Sequence, residues 1–207
     1  AIRLDARNRQ FKLVIPIEMS ESRALAFADR HKSWMMEKLA NLPERVKYLD
    51  GTEIPVLGQS KILDIFFDEH RKTTKINIEN TYIRVKTNKT DPSCRIESFL
   101  KKRIKDHLWS LSTEKADIIG KDVQNVSVRD TSSRWGSCSP SGNLSYSWRL
   151  IFAPDYVTDY IVAHEVAHLK HLDHSRAFWR VCECLSANYT EGKRWIRENG
   201  HSLMSFG

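Results

Sequence analysis

Apolar and polar residues follow strand-like spacing through most of the first half of the chain. Residues 2–19 have an extended pattern, and residues 20–42 have apolar positions at helical spacing, with Ser20 as a candidate N-cap. Residues 46–87 then alternate with a period of two, and Asp50 and Gly51 give a hairpin-turn signal near their start. We therefore predict one helix followed by a β-meander, with strands over 46–49, 54–57, 62–67, 75–78 and 82–85.

Helical spacing dominates the second half, which contains one β-rich segment. A long amphipathic helix is predicted from Asp91 or Pro92 to Ile119, where Gly120 would end it. The remaining predicted elements are, in chain order, a strand over 123–130, a hairpin over 133–150 with its turn at 140–143, a helix that opens at Pro154, and helices over 175–187 and 190–204.

Strands and helices in separate runs indicate an α+β fold with a β-rich N-terminal half. At 207 residues, the chain fits one large domain or two small ones. A boundary near residue 90 would divide a β-rich scaffold region with one helix, residues 1–90, from a second domain, residues 91–207. No linker marks this boundary, so one continuous domain is the alternative.

The composition is that of a globular protein that builds a core, with 41% apolar and 29% charged residues. No apolar run approaches the roughly 20 residues that span a bilayer, and the first residues lack the apolar segment of a signal peptide. The four cysteines form no Cys-x-x-Cys pair. We therefore expect a cytoplasmic protein with reduced thiols and no membrane association.

The formal net charge of +7 is compatible with an acidic partner, including a nucleic acid. The densest basic cluster, residues 101–105, lies in an amphipathic helix pattern and is more typical of a solvated helix face. No zinc finger or stacking motif accompanies it, so no motif indicates nucleic-acid binding. The sequence does not indicate an oligomeric state.

The most specific chemical pattern is His164-Glu165-Val166-Ala167-His168. On a helix, positions four apart lie one turn apart on the same face, so His164 and His168 can point at one metal ion. Glu165 is rotated away from that axis and is better placed to hold a water than to ligate the metal. A carboxylate there can take a proton from the attacking water and pass it to a leaving amine. The pattern predicts a zinc (Zn2+) site with its general base.

A catalytic zinc needs a third protein ligand and one open position. His174 is the preferred candidate, because potential helix caps on either side of it favour a turn that would bring it back to the site. Glu183, on the following helix, is the alternative. His171 lies roughly 10.5 Å along the helix axis from His164, at 1.5 Å per residue, so binding one ion from both positions would be strained.

Residues on both sides of the histidine pattern extend it into a longer signature. They are Arg134-Trp135-Gly136-Ser137-Cys138-Ser139, Gly142-Asn143-Leu144, Trp148-Arg149-Leu150-Ile151, Pro154, Tyr160, Leu169, His171, His174-Ser175 and Phe178-Trp179. With these residues the chain resembles the YgjP-like family of bacterial zinc metallopeptidases, relatives of SprT- and WLM-type proteins. The resemblance is strong over residues 123–200 and covers the first half in layout only.

The resemblance implies a zincin-like C-terminal half, in which a small sheet packs on the metal-binding helix. It also implies zinc ligation by His164, His168 and His174, with Glu165 as the base. In such folds an edge strand binds an extended peptide. In this chain the hairpin over 133–150 is the candidate for that peptide-binding strand. The candidate substrate-binding residues are Arg134, Trp135, Gly136 and Ser137.

Alternative roles remain open for several residues of the hairpin. The indoles of Trp135 and Trp148 are better explained by packing than by substrate contact. Arg134 or Arg149 would stabilise an oxyanion or form a buried ion pair.

The leading hypothesis is a zinc metallopeptidase that hydrolyses a peptide or protein substrate by Glu-assisted activation of water. One alternative is metal-dependent hydrolysis of a nucleotide phosphoanhydride, although the chain has no Walker-type glycine-rich loop. Another is a DNA-associated adaptor whose zinc site is structural and has four protein ligands. A nucleophilic Cys138 would need a histidine base within hydrogen-bond reach.

Overall fold

The structure is a computed structural model that describes residues 1–6, 8–131 and 133–207. It has the predicted α+β architecture, with three small sheets and six α-helices in these ranges. Within the described residues, no helix combines the length and the apolarity needed to cross a bilayer.

The N-terminal segment forms a two-stranded antiparallel hairpin and a helical pair. The strands are β1 (Ile2–Asp5) and β2 (Gln10–Leu13). The helix predicted over 20–42 is divided into α1 (Glu21–Arg30) and α2 (Lys32–Ala40). The division falls at His31, whose backbone leaves the helical region and whose Nδ1 lies 2.8 Å from the Phe27 carbonyl oxygen.

The central sheet contains four strands, and its order corrects the predicted meander. The strands are β3 (Glu53–Val56), β4 (Gln59–Phe67), β5 (Lys75–Ile78) and β6 (Tyr82–Thr87). They lie in the order β3-β4-β6-β5, with β4 and β6 parallel. The connection through β5 therefore crosses to the outer edge before the chain returns as β6.

A turn does form at Asp50 and Gly51, where the Thr52 amide donates to the Leu49 carbonyl oxygen at 3.1 Å. The hairpin predicted across it was wrong, because β3 pairs with β4 and the turn between those strands lies at Leu57 and Gly58. Both of these residues have positive φ, +48° and +79°, as a two-residue turn of this kind requires. The Leu57 amide is held by the carbonyl oxygen of Ile151 at 2.7 Å. The segment predicted as strand 46–49 instead makes an isolated bridge from Val46 to Phe206 at the other end of the chain.

The long helix α3 (Ser93–Ile118) lies across the molecule close to its predicted bounds, and Gly120 follows it with φ +64°. Its inward stripe is completely buried and consists of Ile96, Leu100, Ile104 and Leu108. One cluster of buried side chains joins this stripe to the central sheet and to the C-terminal helices. The domain boundary near residue 90 stays a prediction, and this core extends across it.

The second sheet contains β7 (Asn125–Arg129), β8 (Gly136–Cys138) and β9 (Asn143–Ser147). It has the order β7-β9-β8, so β8 is an edge strand paired antiparallel to β9. The predicted hairpin is confirmed, but its second strand is shorter than expected. Trp148–Phe152 forms a buried 3-10 helix instead of continuing the strand.

Three helices complete the C-terminal half: α4 (Asp155–Ala167), α5 (Arg176–Leu185) and α6 (Tyr189–Asn199), followed by a 3-10 helix over Gly200–Ser205. Helix α4 packs against α3, α5, α6 and β8. This central position explains why nine of its side chains are buried.

Candidate metal centre

Two histidines of the site are placed by the end of α4. Regular helix stops at Ala167, but His168 keeps a helical backbone with φ −66° and ψ −19°. His164 and His168 therefore remain one turn apart, with their ring centroids 5.1 Å from each other. Local helix geometry alone is sufficient to produce this pair.

A turn between α4 and α5 brings in the third histidine. The Asp173 carboxylate accepts a hydrogen bond from the Ser175 amide at 3.3 Å, and the Ser175 hydroxyl caps α5 by accepting from the Phe178 amide at 3.4 Å. As a result, His174 Nε2 lies 3.2 Å from His164 Nε2. One nitrogen from each of His164, His168 and His174 lies within 4.8 Å of the other two, and these residues are called the histidine cluster below.

The two alternative third ligands lie outside this cluster in the part of the chain that the structure describes. Glu183 is exposed on α5 and is not grouped with the histidines. His171 contributes through its backbone, because its carbonyl oxygen lies 3.0 Å from His168 Nδ1.

Two imidazoles of the histidine cluster, those of His164 and His168, have the protonation state that metal binding requires. Burial, followed by the neighbouring His168, His174 and Lys193, lowers the pKa of His164 to about 4. Burial likewise lowers the pKa of His168. Both rings are therefore neutral at pH 7, and a neutral imidazole is the ligating form.

The spacing of one donor pair, from His164 and His174, also fits a tetrahedral metal site. Two nitrogens at 2.0–2.1 Å from one tetrahedral zinc lie about 3.3 Å apart, close to the 3.2 Å between His164 Nε2 and His174 Nε2. The His171 carbonyl fixes the proton of His168 on Nδ1 and leaves Nε2 free to ligate. The buried Nδ1 of His164 has no hydrogen-bond partner among the described residues.

Glu165 lies beside the cluster and faces the second sheet. It is only 6% exposed, and burial raises the pKa of its carboxyl to about 7, although the charge of Arg134 opposes this rise. A Cβ atom on Gly136 would lie 2.5 Å from Glu165 Cγ and Oε1. Glycine at this position of β8 is therefore what allows the carboxylate to lie directly against the edge strand.

The candidate substrate-binding residues occupy the start of this edge strand. Gly136 and Ser137 belong to β8, and Arg134 precedes it as an exposed side chain near Glu165. The indole of Trp135 is half-buried, and a Cβ on Gly200 would approach it to 3.0 Å. Trp135 therefore packs on the 3-10 helix that follows α6.

The surroundings of two further candidate side chains, Arg149 and Cys138, disfavour direct roles in catalysis. Arg149 is completely buried, pairs with the Asp130 carboxylate and donates from Nε to the Phe206 carbonyl oxygen at 3.0 Å. These contacts favour the ion-pair role for Arg149. Burial, together with the charge of Glu165, raises the pKa of the Cys138 thiol to about 11, which disfavours a thiolate nucleophile.

Two grooves flank β8. One of about 550 Å³ is lined by the polar residues of the second sheet and includes neither Glu165 nor any member of the histidine cluster. A second, of about 370 Å³, lies between the 139–142 turn and residues 168–172 and is bordered by His168. Of these two grooves, the smaller one is bordered by a member of the cluster, and the larger one is bordered by Gly136, which lies against Glu165.

Sequence reasoning did not identify the aromatic surroundings of the cluster. Phe178 is completely buried, and its ring lies 4.5–4.9 Å from all three imidazoles. The Trp179 ring lies 5.5 Å from His174 and 5.6 Å from His164. The available signal was that both residues lie one turn after the Ser175 cap, where α5 passes the site.

Comparisons with known proteins identify the family of the chain. A family model described as YgjP-like, metallopeptidase domain, matches residues 1–199. Among solved structures, the chain is similar to the crystal structure of the metallopeptidase zymogen of Pyrococcus abyssi abylysin. The identity is 24% and the TM-score 0.39, over 44% of this chain and 93% of that chain. No curated protein matches the chain.

Proposed function

Because the chain belongs to the YgjP-like metallopeptidase family, we propose that it is a zinc-dependent peptidase with its metal at the histidine cluster. The convergence of three imidazoles beside a buried carboxylate is the observation that carries this proposal. Three grouped ligands, rather than four, are typical of a zinc site that keeps one position open for catalysis.

Bound zinc supplies a Lewis acid that makes water nucleophilic near neutral pH. Glu165 is the general base: its carboxylate takes a proton from the attacking water and delivers it to the nitrogen of the leaving amine. Burial raises the pKa of the Glu165 carboxyl in the metal-free site, so this carboxyl holds a proton more readily than an exposed glutamate does. His168 is held in one tautomer by the His171 carbonyl, which orients its ligating nitrogen.

The substrate of this reaction is a peptide or protein segment in extended conformation. Strand β8 has one edge paired to β9, and its other edge is available to a peptide strand. Glu165 lies directly against Gly136 of this strand, so a peptide added there would bring its backbone next to the base.

The test compares wild-type protein with Glu165→Gln. After zinc loading, both proteins are expected to bind one zinc, measured by elemental analysis. Only the wild type is expected to cleave a peptide library, measured by mass spectrometry, because glutamine cannot accept the proton. Tyr82→Phe, on an exposed position of the central sheet, is the control for handling and loading.

Three results would contradict the proposal. The first is wild-type protein that binds no zinc, and the second is a Glu165→Gln variant that cleaves as well as wild type. The third is release of pyrophosphate from nucleoside triphosphates without peptide cleavage, which would favour a nucleotide hydrolase.

A further inference from the structure

Helix α6 approaches the candidate metal centre more closely than a helix with side chains along its whole length would permit. Gly192 is buried in the crossing with α4, where an added Cβ would lie 2.5 Å from Tyr160 Cβ and 3.1 Å from the Tyr156 carbonyl oxygen. Glycine is a poor helix former, so its presence in mid-helix is explained by this close crossing. Tyr160 is one turn before His164, so the crossing brings α6 to the flank of the histidine cluster.

The close crossing of α4 and α6 places two polar side chains near the histidine cluster. Tyr189 and Lys193 are one turn apart on the same face of α6. Lys193 Nζ donates to the Tyr189 hydroxyl oxygen at 3.0 Å and lies 4.2 Å from the centroid of the Trp179 ring. The same Trp179 ring contacts His164 and His174.

A second set of ring contacts leads from this pair to the histidines. The Tyr189 ring lies 5.5 Å from the Tyr160 ring, and the Tyr160 ring lies 6.2 Å from His164. Tyr189 and Lys193 therefore lie next to the Tyr160 and Trp179 rings that contact the cluster, on the side of His164 and His174.

The hydrogen bond between the two residues leaves a free donor and an uncompensated charge. Lys193 is the donor, so the hydroxyl hydrogen of Tyr189 is not used in that bond. Within the described ranges, Lys193 forms no ion pair and is held only by Tyr189 and the face of Trp179. An ammonium group on the phenol oxygen strengthens the hydroxyl as a donor toward a developing negative charge.

We propose that Tyr189 is a further catalytic residue, which stabilises the negative charge that develops on the substrate carbonyl oxygen. Lys193 is its positioning residue. This inference rests on the proposed peptidase function. As the water oxygen adds to the carbonyl carbon, the electron pair of the C=O bond moves to oxygen, and the Tyr189 hydroxyl donates a hydrogen bond to it. No proton is transferred to that oxygen, and the pair returns when the C–N bond breaks.

The kinetic test uses Tyr189→Phe, with Tyr156→Phe as the matched control. Tyr156 lies in the same α4–α6 crossing but makes no ring contact with the cluster among the described residues. Loss of one oxyanion donor is expected to lower kcat by about 100- to 1,000-fold, with KM and bound zinc unchanged. A Tyr189→Phe variant with the same kcat as the control would overturn the inference and leave the proposed function standing.

Lys193 is tested by Lys193→Met and Lys193→Arg, with Lys105→Met on the exposed face of α3 as the control for lost charge. The methionine variant is expected to lower kcat at unchanged thermal stability and zinc content, and arginine is expected to restore part of it. Equal losses of kcat, zinc and melting temperature would assign Lys193 a purely structural role.

A binding measurement separates the two proposals. A peptide phosphinate carries a tetrahedral anionic centre, and its affinity for zinc-loaded wild type and Tyr189→Phe is measured by calorimetry. Absence of any peptide cleavage by wild type would overturn the peptidase proposal. The inference falls with it. Where wild type does cleave peptides, the phosphinate tests the inference by itself: weaker binding by Tyr189→Phe supports it, and equal affinities overturn it.

Discussion

At the scale of single residues, the contact between Gly136 and Glu165 ties the hairpin to the candidate base. The strand needs a glycine there because the carboxylate side chain occupies the space that a Cβ would fill. Gly136, a candidate substrate-binding residue from the sequence, thus also makes room for a side chain of the same chain.

We predict that Gly136→Ala displaces Glu165 and lowers peptide cleavage strongly while zinc binding is retained. Forcing an extra carbon into this contact is expected to cost about 1–3 kcal/mol of unfolding free energy, measured by urea denaturation. Ser145→Ala, at a facing-away position of the adjacent strand β9, is the control. Full activity in Gly136→Ala would show that the position of Glu165 does not depend on this contact.

The raised pKa of Glu165 predicts a dependence of stability on pH in the metal-free protein. Its pKa rises from 4.5 to about 7, so between these pH values the folded chain binds more protons at this site than the unfolded chain. The contribution of Glu165 to unfolding free energy therefore falls as pH rises through this window, by about 3 kcal/mol in total.

The measurement is the difference in unfolding free energy between wild type and Glu165→Gln, taken from pH 4.5 to pH 7. We expect the wild type to lose stability relative to the variant across that range. The lowered pKa of His164 acts in the opposite direction but is common to both proteins, so it cancels. Parallel curves would contradict the prediction.

At the scale of elements, a buried lysine joins three helices behind the site. Lys115 of α3 is 7% exposed, and its Nζ lies 2.5 Å from both the Asp159 carboxylate of α4 and the Leu185 carbonyl oxygen at the end of α5. Because α4 and α5 carry or flank the histidine cluster, this contact fixes their relative position.

We predict that Lys115→Met destabilises the protein by about 2–3 kcal/mol, because it leaves a partly buried carboxylate and a carbonyl without a partner. The matched control is Lys102→Met, which removes an exposed pair with Asp106 on the same helix and should cost less than about 0.5 kcal/mol. Chemical denaturation measures both. Similar values for the two variants would show that Lys115 is not an organising contact.

At the scale of the whole molecule, the histidine cluster links α4, the turn after it and the start of α5. A metal that binds only the folded arrangement stabilises it by mass action, by about 2.7 kcal/mol at a free concentration 100 times Kd. We predict a rise in melting temperature on adding zinc that is reversed by a chelator.

His174→Ala is expected to remove this rise, and the controls His171→Ala and Glu183→Gln are expected to keep it. Calorimetric melting with and without zinc makes the comparison. Loss of the rise in Glu183→Gln and its retention in His174→Ala would instead assign Glu183 as the third ligand.

Much of the local structure could be predicted from the sequence. The spacing of His164 and His168, the bounds of α3 and the strands predicted over 75–78 and 82–85 depend on periods of 3.6 and 2 that the backbone imposes on neighbouring residues. The second of these strands extends to Thr87 in the structure. Neighbouring residues in the sequence also indicate the turn after α4 and the N-cap at Ser175, and both features are present in the structure.

Only the tertiary structure decided which distant segments meet. It placed β6 between β4 and β5, moved the hairpin turn to Leu57 and Gly58, and brought His174 rather than Glu183 beside His164. It also set Glu165 against Gly136 and brought α6 to the metal centre through Gly192. These contacts join residues tens of positions apart, and their energies come from burial and packing between elements, which no local period of the sequence encodes.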